Sequence, residues 1–198
     1  MVRSVNNYQI TGMIILALFY AAYFIKMLGQ RKRGIQTTQF GLGDKARKTV
    51  LIEKGLQTIS IVIVAVEVFS IFWNTENAVR NELRIAGLVA AGIGTAVFIT
   101  AMFTMQDSWR AGIAEKGSTS LVTKGIYRIS RNPAFLGFDL VYLGMCIAFF
   151  NPVLLLISIL GVVMMHLQIL EEEKSLPEVF GEAYITYRNE VGRYFIWF

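Results

Sequence analysis

Residues 131–137 read RNPAFLG, and from there to Phe149 the only charged side chain is Asp139. An arginine, an asparagine and a proline therefore stand at the mouth of a stretch that is otherwise hydrocarbon. Proline suits the first turn of a helix, where its missing N–H costs nothing. Asn132, just before it, is placed to cap the exposed amides of that turn. Arg131 is then fixed at the hydrocarbon boundary. Its planar fork suits an anionic ligand group, and a headgroup anchor is the competing use of the same residue. The run 133–150 is 18 residues long and reads as a membrane-spanning helix.

The composition extends this reading to the whole chain. Of 198 residues, 55% are hydrophobic and 17% charged, against about 25% charged in soluble domains. Mean hydropathy is +0.52. The formal net charge of +5 flanks apolar tracts and does not line one amphipathic or aromatic-interleaved face, which argues against nucleic acid as a partner. Cys146 is the single cysteine and lies inside an apolar tract, so it offers neither an intramolecular disulfide nor an activated thiolate. Arg3 precedes an apolar run with no small-residue cleavage site after it, so the run reads as a retained first span and not as a signal peptide.

Five spans follow from the charge gaps: 8–28, 55–73, 85–106, 133–150 and 153–170. Asn151 and Pro152 separate the last two, which predicts a tight helical hairpin. Residues 29–50 hold six Lys/Arg against one Asp, and residues 107–132 hold five against Asp107 and Glu115. The segment 74–82 holds one Arg against two Glu. Positive-inside counting then places the amino terminus outside and the carboxyl terminus in the cytoplasm of an inner or plasma membrane. The expected fold is all-α: one polytopic membrane domain over 1–198, with five transmembrane helices, the last two paired. An odd span count gives no support to a two-fold transporter repeat.

After Leu170 the chain reads EEEKSLPEVFGEAYITYRNEVGRYFIWF. Leu176, Val179, Phe180, Tyr184, Tyr187 and Val191 recur at spacings of three and four, which predicts a C-terminal amphipathic helix, with Pro177 and Gly181 complicating its start. Glu171, Glu172 and Glu173 cannot all face one way. Two are expected in solvent and one turned inward. Asp139 and His166 lie thirteen and fourteen residues from the Asn151–Pro152 turn on opposite arms, so they fall at similar depth and read as a structural pair or cavity lining. Glu67 is expected to reach the outer interface or to stand near a substrate. There is no phosphate-binding glycine loop, no GxSxG elbow and no cysteine–histidine metal spacing.

In combination, GIYRISRNPAFLG, two paired spans and EEEKSLPEVFGEAYITYRNEVGRYF resemble the isoprenylcysteine carboxyl methyltransferase family, which is similar to phospholipid methyltransferases. The resemblance is concentrated in residues 118–195. It implies a cofactor-binding region there, with S-adenosylmethionine held near the cytoplasmic side outside any Rossmann fold. By motif, Tyr127, Arg131, Asn132 and Phe135 line the cofactor region from one side; Glu172, Glu173, Tyr184, Tyr187 and Arg193 line it from the other. His166 is carried as a further cofactor-region candidate, and Arg131 and Glu172 as the catalytic pair. The family commonly has histidine where this chain has Asn132, and arginine where it has Gln168. The implied activity is methylation of a hydrophobic or membrane-associated acceptor entering sideways from the bilayer, with a carboxylate as the family's acceptor. Phospholipid N-methylation and thiol methylation are the enzymatic alternatives. A non-catalytic lipid-binding protein and a small transporter are the alternatives of a different class. No metal is implied.

Overall fold

A computed structural model describes residues 6–73, 79–113 and 119–194. Arg3, Glu76 and Glu115, which enter the sequence reading, lie outside these. Six α-helices follow in order: α1 (Asn7–Lys32), α2 (Arg47–Trp73), α3 (Asn81–Met105), α4 (Pro133–Ala148), α5 (Pro152–Phe180) and α6 (Glu182–Glu190). Two 3-10 turns, Gln106–Ser108 and Gly125–Arg128, lie between α3 and α4. Among the described residues there is no strand, only an isolated bridge between Thr38 and Ala111.

Among the described residues, four helices are long and apolar enough to cross a bilayer: Asn7–Lys32, Arg47–Trp73, Asn81–Ser108 and Pro152–Phe180. Pro133–Ala148 is a shorter apolar helix. Large side chains such as Ile25, Ile61, Phe103 and Leu156 face outward, a distribution that water would penalise and lipid does not. The protein is an integral membrane protein.

The tightest contact is between α3 and α4. A Cβ built on Gly87 would stand 2.5 Å from the Gly144 carbonyl oxygen, and one on Gly94 would stand 2.7 Å from that of Gly137. The glycines recur seven residues apart on each helix, so two turns of backbone meet at each pair. Ala91 and Val141 fill the space between them, both fully buried. Against one end of this seam Phe19 of α1 meets Phe98 and Phe138 with ring centroids 4.7 and 4.8 Å apart. Attraction between helices in lipid comes from such close packing, because the tails are as apolar as the side chains.

Asn151 and Pro152 make the expected helix start. The Asn151 Oδ1 accepts from Leu154 N at 2.9 Å, and its amide donates to Ser70 Oγ on α2 at 2.7 Å. Ser158 Oγ on α5 donates to the Tyr142 carbonyl on α4 at 3.3 Å. The C-terminal amphipathic helix is corrected to two pieces. Leu176, Val179 and Phe180 continue α5, and Gly181, at φ +59°, breaks the helix before α6. The apolar spacing is still satisfied, because Leu176 and Phe180 pack with Tyr184, Tyr187 and Val191 in one cluster.

The glycine seam predicts an asymmetric pair of substitutions. Gly94→Val would drive side-chain atoms into the α4 backbone and lower stability by about 1–3 kcal/mol or more. Gly92→Ala, where nothing lies within 4 Å, should be neutral or slightly stabilising. Thermal unfolding in detergent, followed by helical circular dichroism, distinguishes the two.

Candidate active site

The chain before α4 is positioned by Gly125, whose φ of +60° turns it into the 3-10 turn. Tyr187 of α6 holds that turn by donating its hydroxyl to the Tyr127 carbonyl at 2.6 Å. Pro133 occupies the first turn of α4 as the sequence suggests, but Asn132 makes no side-chain cap. Its amide instead donates to Glu173 Oε1 at 3.1 Å and to the Arg193 carbonyl at 3.3 Å. The pull of a buried carboxylate across the fold outweighs a local cap.

Glu173 is the centre of this network. Its Oε1 accepts from Arg131 Nη2 at 3.0 Å and Nε at 3.3 Å; its Oε2 accepts from Arg193 Nε at 2.9 Å and Nη2 at 2.8 Å. Arg131 Nη1 donates to the carbonyls of Arg188 and Val191, and Arg131 N to that of Gly192. The paired carboxylate in turn pushes the Arg193 guanidinium further above its ordinary range. All three guanidinium nitrogens of Arg131 are thus engaged in fastening residues 188–193 to the mouth of α4.

The three consecutive glutamates face three partners. Glu171 accepts from Thr49 Oγ1 at 2.8 Å and from Lys174 Nζ at 2.6 Å. Glu172 accepts from Gln168 Nε2 at 3.0 Å. None of the three is exposed, contrary to the expectation that two would be solvated. The reason is that α5 runs on to Phe180, with α2 on one side of its last turns and the post-α6 chain on the other.

Two cavities adjoin this region. The smaller, about 150 Å³, is lined by Tyr127, Arg131, Asn132, Phe135, Glu172, Tyr184 and Tyr187 among others. Seven of the ten cofactor-region candidates are therefore brought together. Glu173 and Arg193 stand behind the lining as its fastening. His166 lines neither cavity; its Nδ1 is 2.6 Å from the Tyr194 hydroxyl. The expected pair of Asp139 and His166 is replaced by this contact, because the chain after α6 returns over α5. Asp139 Oδ1 is buried with no hydrogen-bond partner among the described residues. Burial, and then the nearby Asp139 carboxylate, push the Tyr194 hydroxyl up.

The larger cavity, about 550 Å³ and mostly apolar, runs between α1, α2, α3 and α4, with Tyr20, Leu56, Ile61, Val64 and Phe138 on its walls. Trp109, Arg110, Gly112, Ala134 and Phe135 line both cavities. Glu67 does not reach the interface. It is fully buried and accepts from Tyr20 Oη at 3.1 Å, beside the wall of the larger cavity.

The junction is held by residues that the sequence reading passed over. Glu53, fully buried, accepts from Lys45 Nζ at 2.8 Å, Gly41 N at 2.7 Å and Ile113 N at 3.0 Å. Gln30 Nε2 donates to the Trp109 carbonyl at 3.0 Å. These bonds tie the segments after α1 and after α3 together, and Gly112 packs there at φ +93°, with Phe40 and Glu53 where a Cβ would go. Nothing in 107–113 matches a motif; the one available signal is Glu53, an acid set among Lys45, Arg47, Lys48 and Lys54.

The sequence profile of the phospholipid methyltransferase family matches residues 83–183, just over half of the chain, from the first turn of α3 to the start of α6. The chain belongs to this family. It is 31% identical over 125 residues to the protein-S-isoprenylcysteine O-methyltransferase of Rattus norvegicus, covering 62% of this chain and 44% of the relative. The Homo sapiens protein of the same name is 30% identical over the same length. That of Saccharomyces cerevisiae is 40% identical over 73 residues, covering 36% of this chain and 30% of the relative. The alignments thus span less than half of each relative. The resemblance drawn from GIYRISRNPAFLG and the glutamate-rich tail holds.

Replacing Glu173 with alanine leaves Arg131 buried and unpaired, a loss of about 3–5 kcal/mol for a buried pair. Hydrogen exchange should show the Arg131 amide, bonded to the Gly192 carbonyl, losing protection before the amides of α3. Unchanged protection there would contradict the fastening role.

Proposed function

We propose that the protein transfers a methyl group from S-adenosylmethionine to a hydrophobic acceptor drawn from the bilayer. The observation that carries this reading is the pair of cavities sharing Trp109, Arg110, Gly112, Ala134 and Phe135. One is small and edged by charged and aromatic groups; the other is large and apolar. A polar donor and a lipophilic acceptor can each occupy a chamber of its own character and meet at the shared wall.

The residues of the smaller cavity fit the cofactor. Tyr184 Oη is buried without a partner among the described residues, and burial pushes this hydroxyl up to about 12, so it remains a neutral donor at physiological pH. Phe135 and Tyr127 offer ring faces to a cationic centre. Glu172 lines the cavity, and its one side-chain hydrogen bond among the described residues is from the neutral Gln168 amide. When bound, S-adenosylmethionine supplies a methyl group already activated on a sulfonium. The protein then has to align the acceptor, exclude water and hold charge. Arg131 serves by position: with Glu173, Asn132 and Arg193 it fixes the chain that walls the site. The cofactor region extends beyond residues 118–195, because residues 105–113 also contribute.

This reading places α4 as a fifth, short crossing, about 24 Å by its rise, paired with α5 and bounded by Asn132 and Phe149. It places both cavities at the cytoplasmic face. The basic segments 29–50 and 107–132 support that orientation, since the Thr38–Ala111 bridge and the Arg33–Asp107 ion pair put them at one end of the helices. O-methylation of a protein-S-isoprenylcysteine is the chemistry in the names of the mammalian and yeast relatives, and an O-methylated acceptor is the first to be compared.

Purified protein titrated with S-adenosylmethionine should bind it saturably, and incubation with host lipid extract and methyl-labelled cofactor should place label in an organic-soluble product. Phe135→Ala should weaken cofactor binding by about 10-fold, the scale of one lost ring contact. Absence of saturable binding would contradict the proposal and favour a lipid-binding or transport role.

A further inference from the structure

The wall between the two cavities carries information about the acceptor. Glu171 is ion-paired with Lys174 and Lys48, and Glu173 with Arg131 and Arg193. Glu172 differs: among the described residues no lysine or arginine comes within ion-pair distance of it, and its one hydrogen bond is from Gln168 Nε2. Gln168, one helical turn earlier, is fully buried on the wall of the larger cavity. Two acceptors cannot face each other, so its Nε2 must point to the carboxylate, which leaves Oε1 without a partner among the described residues.

The boundary therefore presents two hydrogen-bond acceptors, the Glu172 carboxylate from the cofactor side and Gln168 Oε1 from the acceptor side. An unmet acceptor in an apolar wall calls for a donor. A carboxylate nucleophile would bring negative charge and two more acceptor oxygens to the same place, where low dielectric magnifies repulsion. Arg110 also lines this boundary, and its Nη1 is committed to the carbonyls of Asp107 and Trp109 at 2.6 and 2.8 Å.

We infer that the acceptor carries its nucleophilic atom protonated, as a lipophilic thiol, hydroxyl or amine, and that Glu172 receives that proton as the methyl is transferred. This rests on the methyltransferase reading above and departs from the acceptor named for the relatives. The step balances: the bond from nucleophile to methyl carbon forms while the sulfonium–methyl bond breaks, its electron pair staying on sulfur. The X–H pair stays on the nucleophile, and the proton converts the Glu172 carboxylate to the acid. Gln168 is the specificity residue, accepting from the X–H group before transfer.

Four probes with one twelve-carbon chain test this: dodecanethiol, dodecanol, dodecylamine and dodecanoate, each offered with methyl-labelled S-adenosylmethionine to the full chain in nanodiscs. Label should enter at least one of the first three at a rate about 100-fold above dodecanoate. Glu172→Gln, assayed at saturating cofactor, should cut that transfer by about 100-fold, the low end for a lost general base, and should flatten the rise of rate with pH. Binding supplies a readout apart from turnover. Quenching of Trp109 fluorescence in a Trp73→Phe/Trp197→Phe background should show the favoured proton-bearing probe binding more tightly than dodecanoate, and Gln168→Leu should erase that preference. The wild-type comparison needs no variant to fold. Transfer to dodecanoate as fast as to the others, transfer to none of the three proton-bearing probes by cofactor-binding protein, or undiminished transfer by cofactor-saturated Glu172→Gln would each overturn the inference. A wild-type protein that fails to bind S-adenosylmethionine would instead overturn the methyltransferase reading.

Discussion

The carboxylate of Glu173 holds together three parts of the chain that are far apart in sequence. Its two oxygens take hydrogen bonds from Arg131, Asn132 and Arg193, so the mouth of α4, the end of α5 and the chain after α6 share one anchor. A buried pair of this kind is weak as a source of net stability and strong as a constraint on arrangement, because losing one member strands the other. The smaller cavity exists because these segments cannot drift apart. Arg131, whose fork could have gripped an anionic ligand, is spent on this constraint.

The larger cavity depends on a different interaction. The close approach of α3 and α4 at Gly87, Gly94, Gly137 and Gly144 draws two helices into one rigid wall. Against it, α1 and α2 leave the larger cavity unfilled. The Glu53–Lys45 pair and the Thr38–Ala111 bridge close that cavity toward the loops, so its shared wall with the smaller one is made by residues 109–112 and the first turn of α4. Apolar volume and polar grip are thus supplied by different helices, and a change in one need not disturb the other.

Much of this was legible in the sequence because bilayer physics writes plainly. Apolar tracts between charged flanks locate the long helices, Pro133 marks a helix start, Asn151–Pro152 marks the turn between α4 and α5, and the spacing of Leu176, Phe180, Tyr184 and Tyr187 marks an apolar face that packs as one cluster across two helices. The roles of Asn132, His166 and the three glutamates were harder, since each is decided by a partner from elsewhere in the chain. Asn132 is the clearest example: next to a proline at a helix start it reads as a cap, and only the arrival of Glu173 from 41 residues away redirects its amide. The glycine seam could have been seen in the seven-residue recurrence on both helices. The break at Gly181 is half visible in the sequence, since a glycine stands there but the continuous apolar stripe hides the change of helix.

The most direct test of the central claim is ultraviolet cross-linking of methyl-labelled S-adenosylmethionine to the intact membrane protein, followed by peptide mapping. Label that is displaced by unlabelled cofactor should map to the segment from Leu121 to Phe135 or to that from Glu172 to Tyr187. Displaceable label confined to α1 and α2, or label that unlabelled cofactor does not displace, would contradict a donor site walled by the Glu173-fastened segments.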